Sequence, residues 1–133
     1  GGKTGLLCFQ LAPFFKCDRA RLEAFLGVLA PGLPYAFEFR HDSWFNDEIY
    51  RLLKDHSVTL CINESEEGCT PMELTARPVY VRLRKGEYSP TEIALWQARF
   101  RDWASAGHEV FAYVKHKDNP GAPRIALAFA EGF

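Results

Sequence analysis

Glu38 and Arg40 stand two residues apart in YAFEFRH (Tyr35 to His41), and Arg82 and Arg84 repeat that spacing in VYVRLR (Val79 to Arg84). Extended backbone points successive side chains to opposite faces, so the members of each pair share a face, roughly 6–7 Å apart. A carboxylate placed there can act as a general base or a metal ligand. A guanidinium can clamp a carboxylate or phosphate in a bidentate fork. The structural alternative for Glu38 and Arg40 is an ion pair that closes a sheet layer, because a buried charge is costly without a partner. Arg82 and Arg84 cannot neutralise each other. They need anions, either a carboxylate such as Glu38 or a ligand. This excess is the best sequence evidence for an anionic ligand; the alternative is that Arg84 lies past its strand and is solvated.

Other polar groups end apolar runs in the same way. Gln10 closes GLLCFQ, and His41 follows Arg40. Asn63 closes VTLCIN and could hydrogen-bond a hydroxyl or orient a neighbour. Lys115 and His116 end EVFAYVKH, and only one of them can face inward. His116 is a candidate general acid or base, or else a loop histidine bonded to backbone. Trp44, in the loop HDSWFND, could stack a sugar or base, or cover the sheet edge. The acidic stretch Glu64 to Glu67 reads as a solvated loop. The Gly121-Ala122-Pro123 turn could present backbone N–H groups to an anion.

Five short apolar runs must position these groups, near residues 5–11, 35–40, 58–63, 79–84 and 110–116, the first reading as a strand buried on both faces. Helical patterns lie between most of them. Asp18 can cap a helix through about Leu29 that carries Leu22, Phe25, Leu26 and Leu29 at helical spacing. Asn46 or Asp47 can cap a second, with Ile49, Leu52 and Leu53 on one face and His56 in its last turn. Ser89-Pro90-Thr91-Glu92 forms a capping box with proline at the first helical position, ahead of the stripe Ile93, Trp96, Phe100 and Trp103. Such a stripe is core packing far more often than a cofactor site. Gly107 ends that helix, and a last helical piece is expected from Ile125 to Phe129. Residues 64–78 read as a loop on the ligand side. Strands alternating with helices imply an α/β domain with a parallel sheet, in which ligands bind at the carboxyl ends of the strands.

Composition bounds the partners. The 133 residues make one domain or part of one, and 47% hydrophobic with 25% charged residues is globular. A net charge of −1 gives no whole-chain attraction to nucleic acid or an anionic membrane. No apolar run approaches the roughly 20 residues of a membrane span, and no signal-peptide pattern opens the sequence. Cys8, Cys17, Cys61 and Cys69 form no CxxC pair and have no finger-like histidine spacing. They read as reduced thiols of a cytoplasmic protein and give no metal site. Gly1 and Gly2 do not read as a natural start, which suggests a fragment of a longer chain. No P-loop, GxGxxG turn, GxSxG elbow or HExxH is present, so the sequence names no cofactor.

The segments LLCFQLAPFF, LEAFLGVL with YAFEFRHDSWF, VYVRLRKGEYS and AYVKHKDNPGAPRIAL resemble the YecE-like family, known as DUF72. The likeness runs from about Leu6 to Leu127, and EFRH-x-SW is its most specific piece. Members are similar to TIM barrels and about twice this length. The resemblance implies a (β/α) barrel architecture here represented by its C-terminal portion, with about five parallel strands, lacking N-terminal GTSGW-like and TFY-like motifs. Ala12 stands where the family usually has proline. Arg84 and Lys85 stand where histidine and glycine are common, which removes a candidate histidine.

Three functions are open at this point. The first is an enzyme acting on a phosphorylated or carboxylated small molecule, such as a sugar. Glu38 would be its base or metal ligand and Arg40, Arg82 and Arg84 its clamps, with Asn63 and His116 in support. The second is a binding module for a nucleotide or nucleic acid with no chemistry, against which the near-neutral charge counts. The third is a scaffold in which the charges only neutralise each other. Two apolar edge strands, Leu6 to Gln10 and Val110 to His116, carry no proline or bulge to block pairing, and no lysine before the Lys115 near the end of the second, so a missing N-terminal half or another chain is expected to cover them.

Overall fold

The computed structural model describes residues 6–114, and its core divides between two apolar clusters. Strand β1 (Leu7–Gln10) leads to helix α1 (Arg19–Val28), and Asp18 caps that helix by accepting from the Arg21 N–H. Strand β2 (Tyr35–Glu38) follows, then a 3-10 turn (Asp42–Trp44) and helix α2 (Asp47–Asp55). The Asn46 side chain caps α2 through the Ile49 N–H. The next run is split into β3 (Thr59–Leu60) and β4 (Ile62–Ser65). A short β5 (Gly68–Cys69), β6 (Pro78–Leu83), helix α3 (Pro90–Ser105) and β7 (Glu109–Val114) complete the order.

The strands form two sheets, β1-β2-β3 and β5-β4-β6-β7, all parallel apart from the antiparallel β4–β5 hairpin. The expected single third strand is broken at Cys61, for a local reason. Thr75 from the following loop inserts its hydroxyl beside β3. Its Oγ1 donates to the Val58 carbonyl at 2.6 Å and accepts from the Leu60 N–H at 2.9 Å. One side of β3 is therefore bonded to a side chain rather than to β6. The Cys61 N–H still donates to the Phe37 carbonyl at 2.8 Å, so the two sheets abut through continuous chain. Among the described residues the strands close no barrel.

One face of the sheets carries aromatic and aliphatic groups that meet the helices. Phe37, Phe39, Val58 and Leu60 pack with Leu22 and Leu26 of α1 and with Ile49, Leu52 and Leu53 of α2. Ile62, Val79, Val81 and Leu83 pack with Trp96 and Phe100 of α3. Strand alternation then forces Glu38, Arg82 and their neighbours onto the opposite face. The helix starts match the sequence pattern. Ser89 and Glu92 complete the capping box, and Gly107 lies at φ +97°, a conformation suited to glycine just past a helix end.

Three expectations are corrected. The stretch after Asn63 is not all loop, because Ser65 pairs with Gly68 in a hairpin whose two turn residues are Glu66 and Glu67. Strand β1 is not buried on both faces, since Leu7 is 49% exposed and Gln10 is also exposed. Phe25 lies at the margin of the core, 39% exposed, with its edge on Phe9 and Phe37. The expected helix Ile125 to Phe129 and the Gly121 turn lie outside the described residues, as do Lys115 and His116. Among the described residues no helix is long and apolar enough to cross a membrane.

Candidate anion site at the strand ends

Glu38 ends β2 with its carboxylate fully buried, and three guanidiniums converge on it from two strand ends. Arg82 Nη1 donates to Oε1 at 2.7 Å, Arg40 Nε to Oε2 at 3.2 Å and Arg84 Nη1 to Oε2 at 3.3 Å. Asn63 Nδ2 adds a fourth bond to Oε2 at 2.7 Å. The register explains this meeting. Asn63 is the partner of Arg82 across β4 and β6, and Glu38 lies beyond the break at Cys61. Three of the four donors fall on Oε2 and one on Oε1, so the bonds to Glu38 crowd onto one oxygen.

The charges do not cancel. Three positive groups against one negative leave an excess of two within this cluster. The arginine side chains keep between 23% and 32% of their surface open while the carboxylate has none. The arginines therefore face the cleft above a sealed negative charge, and the carboxylates of Asp42, Glu66 and Glu67 face it from its other walls. Burial opposes the charge on Arg82, but the charge of Glu38 and the hydrogen bond to it prevail, and the Arg82 pKa rises.

Beside this cluster lies a cleft of about 600 Å³, with Arg40, Arg84 and Asn63 on one side and the β4–β5 hairpin on another. Below the arginines the same sheet face carries Cys8, Cys61 and Tyr80. Burial, then the negative charge of Glu38, pushes the Cys8 thiol up to about 11. Burial also raises Cys61, and it pushes Tyr80 up to about 12. These are protonated, unreactive groups at neutral pH. Tyr80 stacks on Tyr113 of β7 with ring centroids 5.2 Å apart.

The remaining sequence candidates separate. Gln10 is paired with Glu38 in register but is exposed at the end of β1. His41 caps the 3-10 turn, its Nδ1 accepting from the Ser43 N–H at 3.2 Å. Trp44 is only 1% exposed, parallel to Phe39 at 4.5 Å, and its Nε1–H donates to the Phe15 carbonyl at 2.8 Å. Phe15 stacks on it too, so its ring belongs to the core and offers no open face to a ligand. His56 caps α2 and bonds the Leu52 carbonyl through Nδ1. Glu64 is half-buried rather than part of a fully solvated loop, and its Oε1 accepts from Trp96 Nε1 at 3.0 Å. Sequence reasoning missed the hairpin wall of the cleft, where Ser65, Glu66 and Thr70 stand beside Arg84. The signal was Gly68 after three polar residues, at φ +133°.

Comparison with known proteins agrees with this architecture. The chain matches the family described as "Protein of unknown function DUF72" over residues 1–133, and it belongs to that family. Solved DUF72 family proteins share its fold. One from Thermotoga maritima MSB8 superposes with a TM-score of 0.82 at 21% identity, covering 96% of this chain and 56% of its own. One from Enterococcus faecalis V583 gives 0.75 at 19% identity, covering 95% and 59%. The chain thus spans between 56 and 59% of the length of these relatives. No curated protein matches it.

Proposed function

We propose that this chain binds the anionic group of a small phosphorylated or carboxylated metabolite on Arg40 and Arg84, with Arg82 and Glu38 holding them in place. The observation that carries this reading is the ratio of three partly open guanidiniums to one sealed carboxylate. A purely structural network would be neutral, because uncompensated charge in a partly buried site is unfavourable. Glu38 serves here as a positioning residue, since its carboxylate is fully buried and accepts from three arginines and Asn63. A catalytic role for the site then depends on a further acid or base, for which His116 is the sequence candidate. We further propose that the two sheets are part of a (β/α) barrel whose remaining strands pair with β1 and β7. The half-open faces of Leu7, Gln10 and Tyr113 on those strands support this reading.

The test is isothermal titration of the chain with inorganic phosphate, compared with Arg84→Ala. A charge-assisted hydrogen bond contributes roughly 1.5–3 kcal/mol, so the variant should bind about 10- to 100-fold more weakly. Equal affinity in both would overturn the anion reading.

A further inference from the structure

The string EFRH-x-SW gives Glu38 and Arg40 to the buried network and Trp44 to the core, and it leaves His41 and Ser43 over. These two side chains meet, with Ser43 Oγ 2.9 Å from His41 Nδ1. The Ser43 N–H also donates to Nδ1, at 3.2 Å, so this nitrogen carries a lone pair and the proton of the neutral ring sits on Nε2. Facing such an acceptor, the hydroxyl has to be the donor, and its proton points at the imidazole. The oxygen is held from a second side as well. The Cys17 N–H, 26 residues earlier in the chain, donates to Oγ at 2.7 Å. An N–H bonded to an oxygen favours negative charge on it. Ser43 is exposed, and its second lone pair is open to an electrophile. Capping of the 3-10 turn uses the Ser43 N–H alone and does not account for the hydroxyl. A hydroxyl aimed at a neutral imidazole is the arrangement of a nucleophile with its base.

We propose that Ser43 and His41 form a nucleophile and general base for carboxylic esters, a second centre that does not depend on the anion reading. Ser43 Oγ bonds to the ester carbonyl carbon as its proton passes to His41 Nδ1. The tetrahedral adduct then breaks its bond to the alcohol oxygen, which takes the proton from Nδ1 and leaves as the alcohol. Water attacks the acyl-serine and gives a proton to Nδ1, and that proton returns to Oγ as the carboxylic acid departs. The sum is hydrolysis of an ester by water, with the imidazole and the hydroxyl restored. Cys17 also borders a shallow depression of about 620 Å³ with Phe14 and Lys16. Phe14, 81% exposed, gives an acyl group an apolar wall there.

Labelling the chain with a fluorophosphonate, which phosphonylates an activated serine with loss of fluoride, and mapping the modified peptide by mass spectrometry tests this. Ser43 should carry the label, and p-nitrophenyl acetate should leave an acetyl group on the same residue. His41→Gln keeps an acceptor for the Ser43 N–H and removes the base. A positioned general base contributes roughly 10²–10⁴-fold, so labelling of that variant should slow by at least about 100-fold. An unlabelled Ser43 in the unsubstituted chain would overturn the proposal. So would labelling of Ser43 at the same rate in His41→Gln, or a label found only on another serine or on a cysteine. Mapping on the unsubstituted chain decides the matter whether or not His41→Gln folds.

Discussion

Glu38 concentrates the physics of this molecule. Burying a lone carboxylate is prohibitive, and here three guanidiniums and one amide compensate it. Breaking such a buried network by removing one partner typically costs about 3–5 kcal/mol. Glu38→Ala should therefore lower the denaturant midpoint far more than Arg84→Ala, whose side chain is partly solvated. Urea unfolding followed by tryptophan fluorescence would show this, and equal midpoints would mean the network contributes little. The sequence exposed this cluster because alternation fixes which residues share a face. Alternation does not give distance across strands, so the sequence left open whether Arg82 and Arg84 met Glu38 or only a ligand. Trp44 shows the opposite limit. A tryptophan in a polar loop reads equally as a stacking platform or as core, and only the tertiary placement of Phe39 and Phe15 decides.

The thiols on the same face give a pH signature. Burial raises the folded-state pKa of Cys8 from 9.0 to about 11, so the folded chain keeps a proton there that the unfolded chain loses. The stabilisation is complete below pH 9 and is lost as pH rises from about 9 to about 11. Unfolding measured at pH 8 and at pH 10.5 should show stability falling with pH, and Cys8→Ala should show a shallower fall. An identical fall in the variant would assign the effect to other groups.

At the scale of elements, what the chain encodes locally was legible. Asp18, Asn46 and Ser89 announce their helices by side chains that accept from their own first turns. Ser89→Ala should cost about 1 kcal/mol, measurable as a shift in thermal midpoint. What depends on distant residues was not legible. Nothing in VTLCINES foretells that Thr75, fifteen residues beyond Leu60, takes over one side of the strand. Thr75→Val keeps the shape and removes the hydroxyl, leaving the Leu60 N–H and Val58 carbonyl to find other partners. The expected loss is about 1–3 kcal/mol, with faster hydrogen exchange at Leu60. Unchanged exchange would show that Thr75 is not what holds β3. The hairpin at Glu66 and Glu67 was missed because it lacks the Asn-Gly or Asp-Gly pair that marks most two-residue turns.

For the whole molecule, the sheet faces form a consistent layout: apolar groups beneath the helices, and a cationic cluster with its cleft at the strand ends on the other side. That layout follows from strand alternation, on a fold shared with the family's solved members at low identity. Leu7 on β1 and Val28 on α1 are exposed apolar groups, and the proposal that further strands pair with β1 would have the isolated chain seek a partner there. Gel filtration of the isolated chain should show self-association, and a stable monomer with a cooperative melt would contradict the barrel reading. The central claim is that the excess guanidinium charge receives an anion. At 15.1 kDa the chain suits nuclear magnetic resonance, where each arginine Nε–H gives its own side-chain signal. In a phosphate titration the Arg40 and Arg84 signals should move together along one saturable curve, while the exposed Arg21 and Arg51 stay still. Uniform small drifts in all the arginines, or none at Arg40 and Arg84, would contradict it.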